Sequence, residues 1–191
     1  GSKTTQIAAL MNNKGLIIAN DYRYDRIKAL SINLQRCGIT NTIITLMEGK
    51  FFNRTKIEFD KILLDAPCSG TGAIRKSLKT LKMWNPNMFK RLAGIQKQLI
   101  SISFDILKEN GTLVYSTCSI APEENEAIID FLLKRYENAK LENINLPIKR
   151  SKSILEYEKQ SYSKEIKNCL RIWPQDNNTE GFFVAKIRKL K

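Results

Sequence analysis

The chain has 191 residues, enough for one domain with a sizeable hydrophobic core but too few for two ordinary domains. Hydrophobic residues make up 42% of it, as in globular proteins generally, and the formal net charge of +13 indicates a polyanionic partner. The absence of histidine argues against Ser-His-Asp and Cys-His catalysis and most zinc sites, the absence of a CxxC pair argues against a zinc or redox pair, and no apolar run is long enough to span a membrane.

Apolar residues follow the spacing of strands and helices in alternation along the chain. Short apolar runs predict strands at residues 15–20, 41–47, 59–64, 112–116 and 181–187. Apolar residues three and four apart predict helices at residues 25–37, 88–108 and 123–136. This alternation favours an α/β fold, with a mostly parallel, doubly wound sheet and helices on both faces, in a single domain over residues 1–191. The polar segment 149–168 is predicted to be a loop or lid.

The positive charge is concentrated in residues 66–104, which contain no acidic residue. We expect this stretch to contact the phosphate backbone of a nucleic acid, because lysine and arginine neutralise phosphates and thereby release counterions from the nucleic acid. The alternative is a lysine-rich helix surface that is merely solvated. The residues we expect to contact RNA are Arg75, Lys76, Lys79 and Lys82.

Two cysteine motifs follow predicted strands. The run DAPCSGTG occupies residues 65–72, and the run YSTCS occupies residues 115–119. Ligands of doubly wound sheets bind beyond the carboxyl ends of the strands, so Cys68 and Cys118 are candidate site residues. Either motif alone also fits a tight turn with a structural cysteine. Without histidine, a cysteine nucleophile needs activation by lysine, a helix N-terminus or the substrate.

Three further segments lie at strand or helix ends. The opening run GSKTT resembles half of a phosphate loop but lacks the preceding glycine, which argues against a P-loop nucleotidase. Asp21 ends the first predicted strand, and Glu48 follows the second. The glutamates of residues 123–126 are expected to cap a helix, since carboxylates suit its N-terminal dipole.

Together these motifs resemble the Nop/Sun family of RNA 5-methylcytosine methyltransferases. The resemblance rests on the two cysteine runs, the EENE run behind the second and the opening GSKTTQIA, and it extends over nearly the whole chain. Further matches are Trp84-Asn85-Pro86, Trp173-Pro174 and the run EGFFVA that begins at Glu180. The resemblance implies a Rossmann-like methyltransferase that uses S-adenosylmethionine on RNA, either rRNA or tRNA. We further expect a cytoplasmic monomer that needs no metal and does not bind membranes.

The resemblance also implies roles for individual residues. Cys118 matches the family's nucleophile, which adds to cytosine C6, and Cys68 matches the cysteine that assists release. Asp65 matches the aspartate beside the base and the cofactor. The expected cofactor-binding residues are Gly1, Ser2, Lys3, Asp21, Arg26, Glu48 and Asp65.

The sequence departs from the family pattern in two places. The family's first strand and its Asp-x-Cys-Ala-Ala-Pro-Gly turn do not precede Gly1, so we expect the native protein to extend further at its N-terminus. The pair Glu48-Gly49 replaces the usual Asp-Ala. Two alternatives stay open: a non-catalytic RNA-binding fragment or assembly factor of the same fold, and a DNA cytosine-5 methyltransferase with its nucleophile in the Pro-Cys motif.

Overall fold

The structure is a computed structural model that describes residues 1–191, the side chains of Lys79, Met83 and Pro86 excepted. The chain forms two compact units, Gly1–Thr55 and Lys56–Lys191. Among the helices described, none combines the length and the apolar character that crossing a bilayer would require.

The first unit is a two-stranded parallel sheet with two helices. Its elements are α1 (Ser2–Leu10), β1 (Ile17–Asp21), α2 (Tyr24–Arg36) and β2 (Thr42–Leu46), followed by a 3-10 helix at Gly49–Arg54. Its small core is formed by Ala19, Leu30 and Leu34. The predicted strands 15–20 and 41–47 and the helix 25–37 are confirmed. Gly38, with φ of 62°, follows α2 in the left-handed conformation that glycine favours after a helix.

The second unit contains a five-stranded mixed sheet. Its strands are β3 (Phe59–Asp65), β4 (Leu107–Thr117), β5 (Ala139–Glu142), β8 (Leu170–Ile172) and β9 (Phe182–Lys189). The order is β3-β4-β9-β5, and β8 also pairs with β9. Strands β3 and β4 are parallel, whereas β9 is antiparallel to β4, β5 and β8. The α/β class is confirmed. The sheet is mixed because β9 lies between β4 and β5 and runs in the direction opposite to both.

Four helices belong to this unit: α3 (Lys79–Met83), α4 (Pro86–Asp105), α5 (Glu126–Arg135) and α6 (Pro174–Asn177). The side chain of Asn85 caps α4 by accepting a hydrogen bond from the backbone N–H of Asn87, 2.8 Å away. The core under α4, α5 and the sheet includes fully buried Ile100, Leu113 and Ile128. The predicted helices 88–108 and 123–136 and the remaining strands are confirmed to within a few residues.

The segment 149–168 differs from the predicted open loop. It contains a short hairpin, β6 (Glu156–Tyr157) and β7 (Gln160–Ser161), and a 3-10 helix at Lys164–Asn168. Tyr162 and Ile166 are buried in the core, so the segment is anchored along its length. The sequence pattern missed these elements because each is too short to show a hydrophobic period.

A buried ion pair connects α5 to β8. Arg171 Nε donates to Glu126 Oε1 at 2.7 Å, and both side chains are almost completely buried. Arg171 Nη1 also donates to the carbonyl of Ile120 at 2.9 Å, and the backbone N–H of Ile154 donates to Glu126. Satisfying both charges with hydrogen bonds is what makes their burial tolerable, since desolvation of each is costly.

We therefore expect Arg171→Leu to lower the free energy of unfolding by about 3–5 kcal/mol, because it leaves the Glu126 carboxylate buried without its partner. The double variant Glu126→Leu/Arg171→Leu should lose less than the sum of the two single losses, since no charge stays buried. Urea unfolding of the three variants measures this coupling. Strictly additive losses would contradict it.

Candidate active site

The two cysteine motifs meet at one edge of the mixed sheet. Strands β3 and β4 are parallel neighbours, so their carboxyl ends lie side by side, with Asp65 opposite Ser116. Cys68 lies three residues after β3, and Cys118 directly follows β4. Their Sγ atoms are 3.2 Å apart, both residues are half-buried, and neither forms a disulfide. The structure thus brings together two candidate residues that are 50 positions apart in the sequence.

The surroundings of Cys68 favour its protonated form. Its hydrogen bond with Cys118 and its burial raise the pKa of the Cys68 thiol far above its usual range. The two sulfurs lie within hydrogen-bonding distance, and either thiol could be the donor. The pair therefore combines a proton-holding thiol with a potential nucleophile.

The other two cysteines lie elsewhere. Cys169 is buried in the core, and this burial raises the pKa of its thiol, as expected for a structural cysteine. Cys37 is exposed in the first unit. In the part of the chain with described side chains, no group of three or more acidic or cysteine residues is arranged to hold a metal ion.

Two glycines hold the Cys118 loop by close backbone approach. The N–H of Gly72 donates to the carbonyl of Cys118 at 2.9 Å, and the N–H of Gly181 donates to the carbonyl of Gly72 at 2.9 Å. A Cβ on Gly72 would collide with the carbonyl oxygen of Gly181 and lie 2.8 Å from that of Cys118. Gly72 of the first cysteine motif and Gly181 of the EGFF run thus meet at one backbone crossing, which requires a residue without a side chain.

A buried polar cluster lies beneath the cysteines. The Ser69 hydroxyl is 3.1 Å from that of Ser119, which in turn is 3.2 Å from that of Thr71. The carboxylate of Glu124 accepts from both the N–H and the hydroxyl of Ser69. The expected capping role of the glutamates is wrong for two of them, since Glu124 binds the Cys68 loop and Glu126 pairs with Arg171. The only signal for this in the sequence was their position directly behind the second cysteine motif.

Asp65 is the last residue of β3, three positions before Cys68. Ser116 Oγ donates to its Oδ1 over 3.4 Å. The carboxylate is exposed, and it lies at the same strand edge as the cysteines.

The remaining cofactor candidates lie in the first unit. Asp21 ends β1, accepts from the N–H of Arg23 at 3.0 Å, and pairs with Arg26 Nε at 3.2 Å. The structure thus brings Asp21 and Arg26, two of the cofactor candidates, into contact. Glu48 instead pairs with Lys50 at 2.6 Å. Gly1 precedes α1, and Ser2 and Lys3 form its first turn.

The RNA candidates have mixed surroundings. Arg75 donates to the carbonyl of Thr179 at 3.1 Å and to Asn178 Oδ1 at 2.7 Å, so it also stabilises the turn after α6. Lys76 lies 3.4 Å from Glu180, and Lys82 is exposed on α3. The side chain of Lys79 lies outside the described residues. Arg75 and Lys76 line an open depression of about 600 Å³ together with Ile172, Asn178, Thr179, Glu180 and Phe182.

Known proteins share both this sequence and this fold. The chain is 47% identical over 189 residues to the tRNA (cytosine(49)-C(5))-methyltransferase of Pyrococcus abyssi, covering 99% of this chain and 60% of that protein. It is 46% identical over 191 residues to the ribosomal RNA small subunit methyltransferase F of Shewanella piezotolerans, covering 100% of this chain and 39% of that protein. The chain therefore spans roughly half the length of these relatives.

A solved structure confirms the Rossmann-like methyltransferase fold. The crystal structure of NSun6 from Pyrococcus horikoshii with SFG superposes with a TM-score of 0.86 at 33% identity, covering 100% of this chain and 46% of that one. The family model described as 16S rRNA methyltransferase RsmB/F matches residues 1–188. By its sequence and its fold, the chain belongs to the 16S rRNA methyltransferase RsmB/F family.

Proposed function

We propose that the chain is the catalytic part of an RNA cytosine C5-methyltransferase that uses S-adenosylmethionine. The observation that carries this proposal is the pair of thiols, Cys68 and Cys118, 3.2 Å apart beyond two adjacent parallel strands. A single nucleophilic cysteine would suit many reactions. Two thiols in contact, one of them held protonated, suit a reaction in which a carbon–sulfur bond must first form and later break.

The chemistry follows from the weakness of cytosine C5 as a nucleophile. Addition of the Cys118 thiolate to C6 makes C5 enamine-like, so that C5 can accept a methyl group. The carboxyl of Asp65, if it lies near cytosine N3, stabilises the charge that this addition builds up. After C5 loses its proton to a base, the bond between C6 and Cys118 breaks. The Cys68 thiol donates to the departing sulfur and thereby assists release.

S-adenosylmethionine would supply the methyl group. The residues present fit such a molecule, since Asp21 offers a fixed carboxylate at the carboxyl end of β1, where doubly wound sheets bind ribose hydroxyls. Arg26 and the Arg23 N–H orient that carboxylate. The relative from P. horikoshii was solved with SFG, an analogue of this cofactor, which supports the assignment. Gly1, Ser2, Lys3 and Glu48 remain proposed contacts.

The substrate is proposed to be RNA. One relative is named for cytosine 49 of tRNA and another for the RNA of the small ribosomal subunit, and both are similar to this chain to nearly the same degree. The acid-free stretch 66–104 contains Cys68 and seven basic residues, which supports a contact between this part of the chain and RNA phosphates. The proposed reaction needs both cysteines as thiols, so we also propose that the enzyme acts in a reducing compartment, the cytoplasm.

The two cysteines should give opposite results when each is removed. Cys118→Ala should abolish methyl transfer and any covalent RNA adduct, because no sulfur is left to attack C6. Cys68→Ala should instead accumulate an adduct that survives denaturation, because release is impaired. Denaturing gel electrophoresis with labelled RNA and S-adenosylmethionine reads both results, with the exposed Cys37→Ala as the matched control. The reverse pattern would transfer the nucleophile to Cys68 and favour the DNA-enzyme scheme.

The two aspartates should separate cofactor binding from turnover. Asp21→Ala should weaken S-adenosylmethionine binding by about 1–3 kcal/mol, the value of a lost charge-assisted hydrogen bond. Asp65→Asn should reduce turnover more than cofactor affinity, because the proposed role of Asp65 includes a contact with the cytosine ring. Calorimetric titration and single-turnover rates measure the two effects. Asp25→Ala, which removes an exposed carboxylate of α2, serves as the control, and unchanged affinity in the Asp21 variant would remove that assignment.

No measurable cofactor binding by the full native protein would favour a non-catalytic assembly factor.

The basic residues near Cys68 should account for part of the salt dependence of RNA binding. Replacing Arg75, Lys76, Lys79 and Lys82 with Gln should weaken binding to all RNA sequences and flatten the salt slope by about 0.7 per lost phosphate contact. Fluorescence anisotropy at several salt concentrations measures this slope. Lys140→Gln, at an exposed position of β5, is the control. Because Arg75 also stabilises the turn after α6, a second variant that keeps Arg75 and replaces the three lysines separates the two effects. An unchanged slope in both would indicate that these residues only solvate the surface.

A further inference from the structure

Two consecutive residues that the proposed reaction does not use, Glu124 and Asn125, are completely buried beneath the cysteine pair. They join the 3-10 turn Pro122–Glu124 to α5. Asn125 occupies the N-cap position of α5, yet its side chain makes no capping hydrogen bond. Both side chains are instead directed to the loops that carry the two cysteines.

Glu124 holds the loop on both sides of Cys68, with the help of Gln96 from α4. The N–H of Ser69, the residue after Cys68, donates to Glu124 Oε1 at 2.9 Å. Gln96 Nε2 donates to the carbonyl of Pro67, the residue before Cys68, at 2.8 Å, and to Glu124 Oε1 at 3.1 Å. The buried Oε1 of Gln96 has no hydrogen-bond partner among the described residues. The orientation of this amide is therefore set by the Cys68 loop and by Glu124.

Asn125 holds the loop on both sides of Cys118 in the same way. Thr117, the residue before Cys118, donates its hydroxyl to Asn125 Oδ1. Asn125 Nδ2 donates to the carbonyl of Ser119, the residue after Cys118, at 2.9 Å. Cys118 is thus bracketed by hydrogen bonds to Asn125 alone, whereas Cys68 is bracketed by Glu124 on one side and, on the other, by Gln96, which also donates to Glu124.

We propose that Glu124 and Asn125 are positioning residues that set the separation of the Cys68 and Cys118 sulfurs. Because the two residues are adjacent in the chain, their spacing is covalently fixed, and each transmits it to one cysteine loop. The Ser69 and Ser119 hydroxyls, 3.1 Å apart, join the two bracketed loops directly. The benefit of this spacing for catalysis rests on the proposed function, whereas the spacing itself can be tested without RNA.

The test uses the equilibrium between the two thiols and glutathione disulfide. In this exchange two cysteine thiols and one glutathione disulfide give one Cys68–Cys118 disulfide and two glutathione thiols, so electrons and protons balance. The equilibrium constant reports the effective concentration of one sulfur at the other. We expect Glu124→Gln and Asn125→Ala each to lower this constant by about tenfold, the equivalent of one lost hydrogen bond to a charged or buried group.

The control is Glu123→Gln, the same substitution one residue earlier, where the carboxylate lies beside Tyr157. It should leave the constant unchanged. If Glu124→Gln melts below the assay temperature, Gln96→Met serves instead, because it keeps the side-chain length, removes the donating Nε2 together with an oxygen that has no partner among the described residues, and carries the same expectation. The proposal would be overturned if the Asn125 variant and a variant of either Glu124 or Gln96 were folded and kept the wild-type equilibrium constant.

A second measurement addresses the reaction. Glu124→Gln should accumulate the RNA adduct as Cys68→Ala does, while Asn125→Ala should slow adduct formation by about tenfold. A purely structural role would lower both steps together and would contradict the proposal. If the wild-type protein transfers no methyl group and Cys68→Ala forms no adduct, the proposed function fails, and the glutathione measurement still decides the positioning role.

Discussion

The parallel pairing of β3 with β4 is the constraint on which the candidate site depends. Parallel neighbours end at the same edge of a sheet, so residues 50 positions apart in sequence follow the two strands into one small volume. Hydrogen bonding of the strands alone does not place two sulfurs in contact, since the chain leaves each strand as a loop. The loops are fixed by buried hydrogen bonds, because each polar group removed from water there needs a partner.

Much of the fold was predictable from the sequence. The strands β1, β2, β3 and β9 and the long helix α4 each show an apolar period over enough residues to be recognised. The short strands β5, β6, β7 and β8 were missed because two to four residues cannot show a period. The sequence likewise predicted that the motifs around Cys68 and Cys118 would be neighbours, through the rule that ligands bind beyond the carboxyl ends of strands.

The polar framework of the site was not predictable in the same way. A glutamate near a helix N-terminus is usually a capping or dipole residue, and nothing local distinguishes Glu124 and Glu126 from Glu123. Their different roles follow from tertiary contacts with Ser69, Gln96 and Arg171, which are remote in sequence. Arg75 illustrates the same limit. The charge distribution predicts that it contacts RNA, and the structure shows in addition that it donates hydrogen bonds to the turn at residues 178–179.

The crossing of Gly72 and Gly181 has a consequence for exchanging parts between relatives. The Cys118 loop, the glycine-rich loop after β3 and the segment that enters β9 meet at Gly72, where the carbonyl groups of Cys118 and Gly181 leave no room even for a Cβ atom. These three segments therefore behave as one inseparable module. A chimera that imports a single cysteine loop would disturb the other two segments, whereas one that imports all three would preserve their fit.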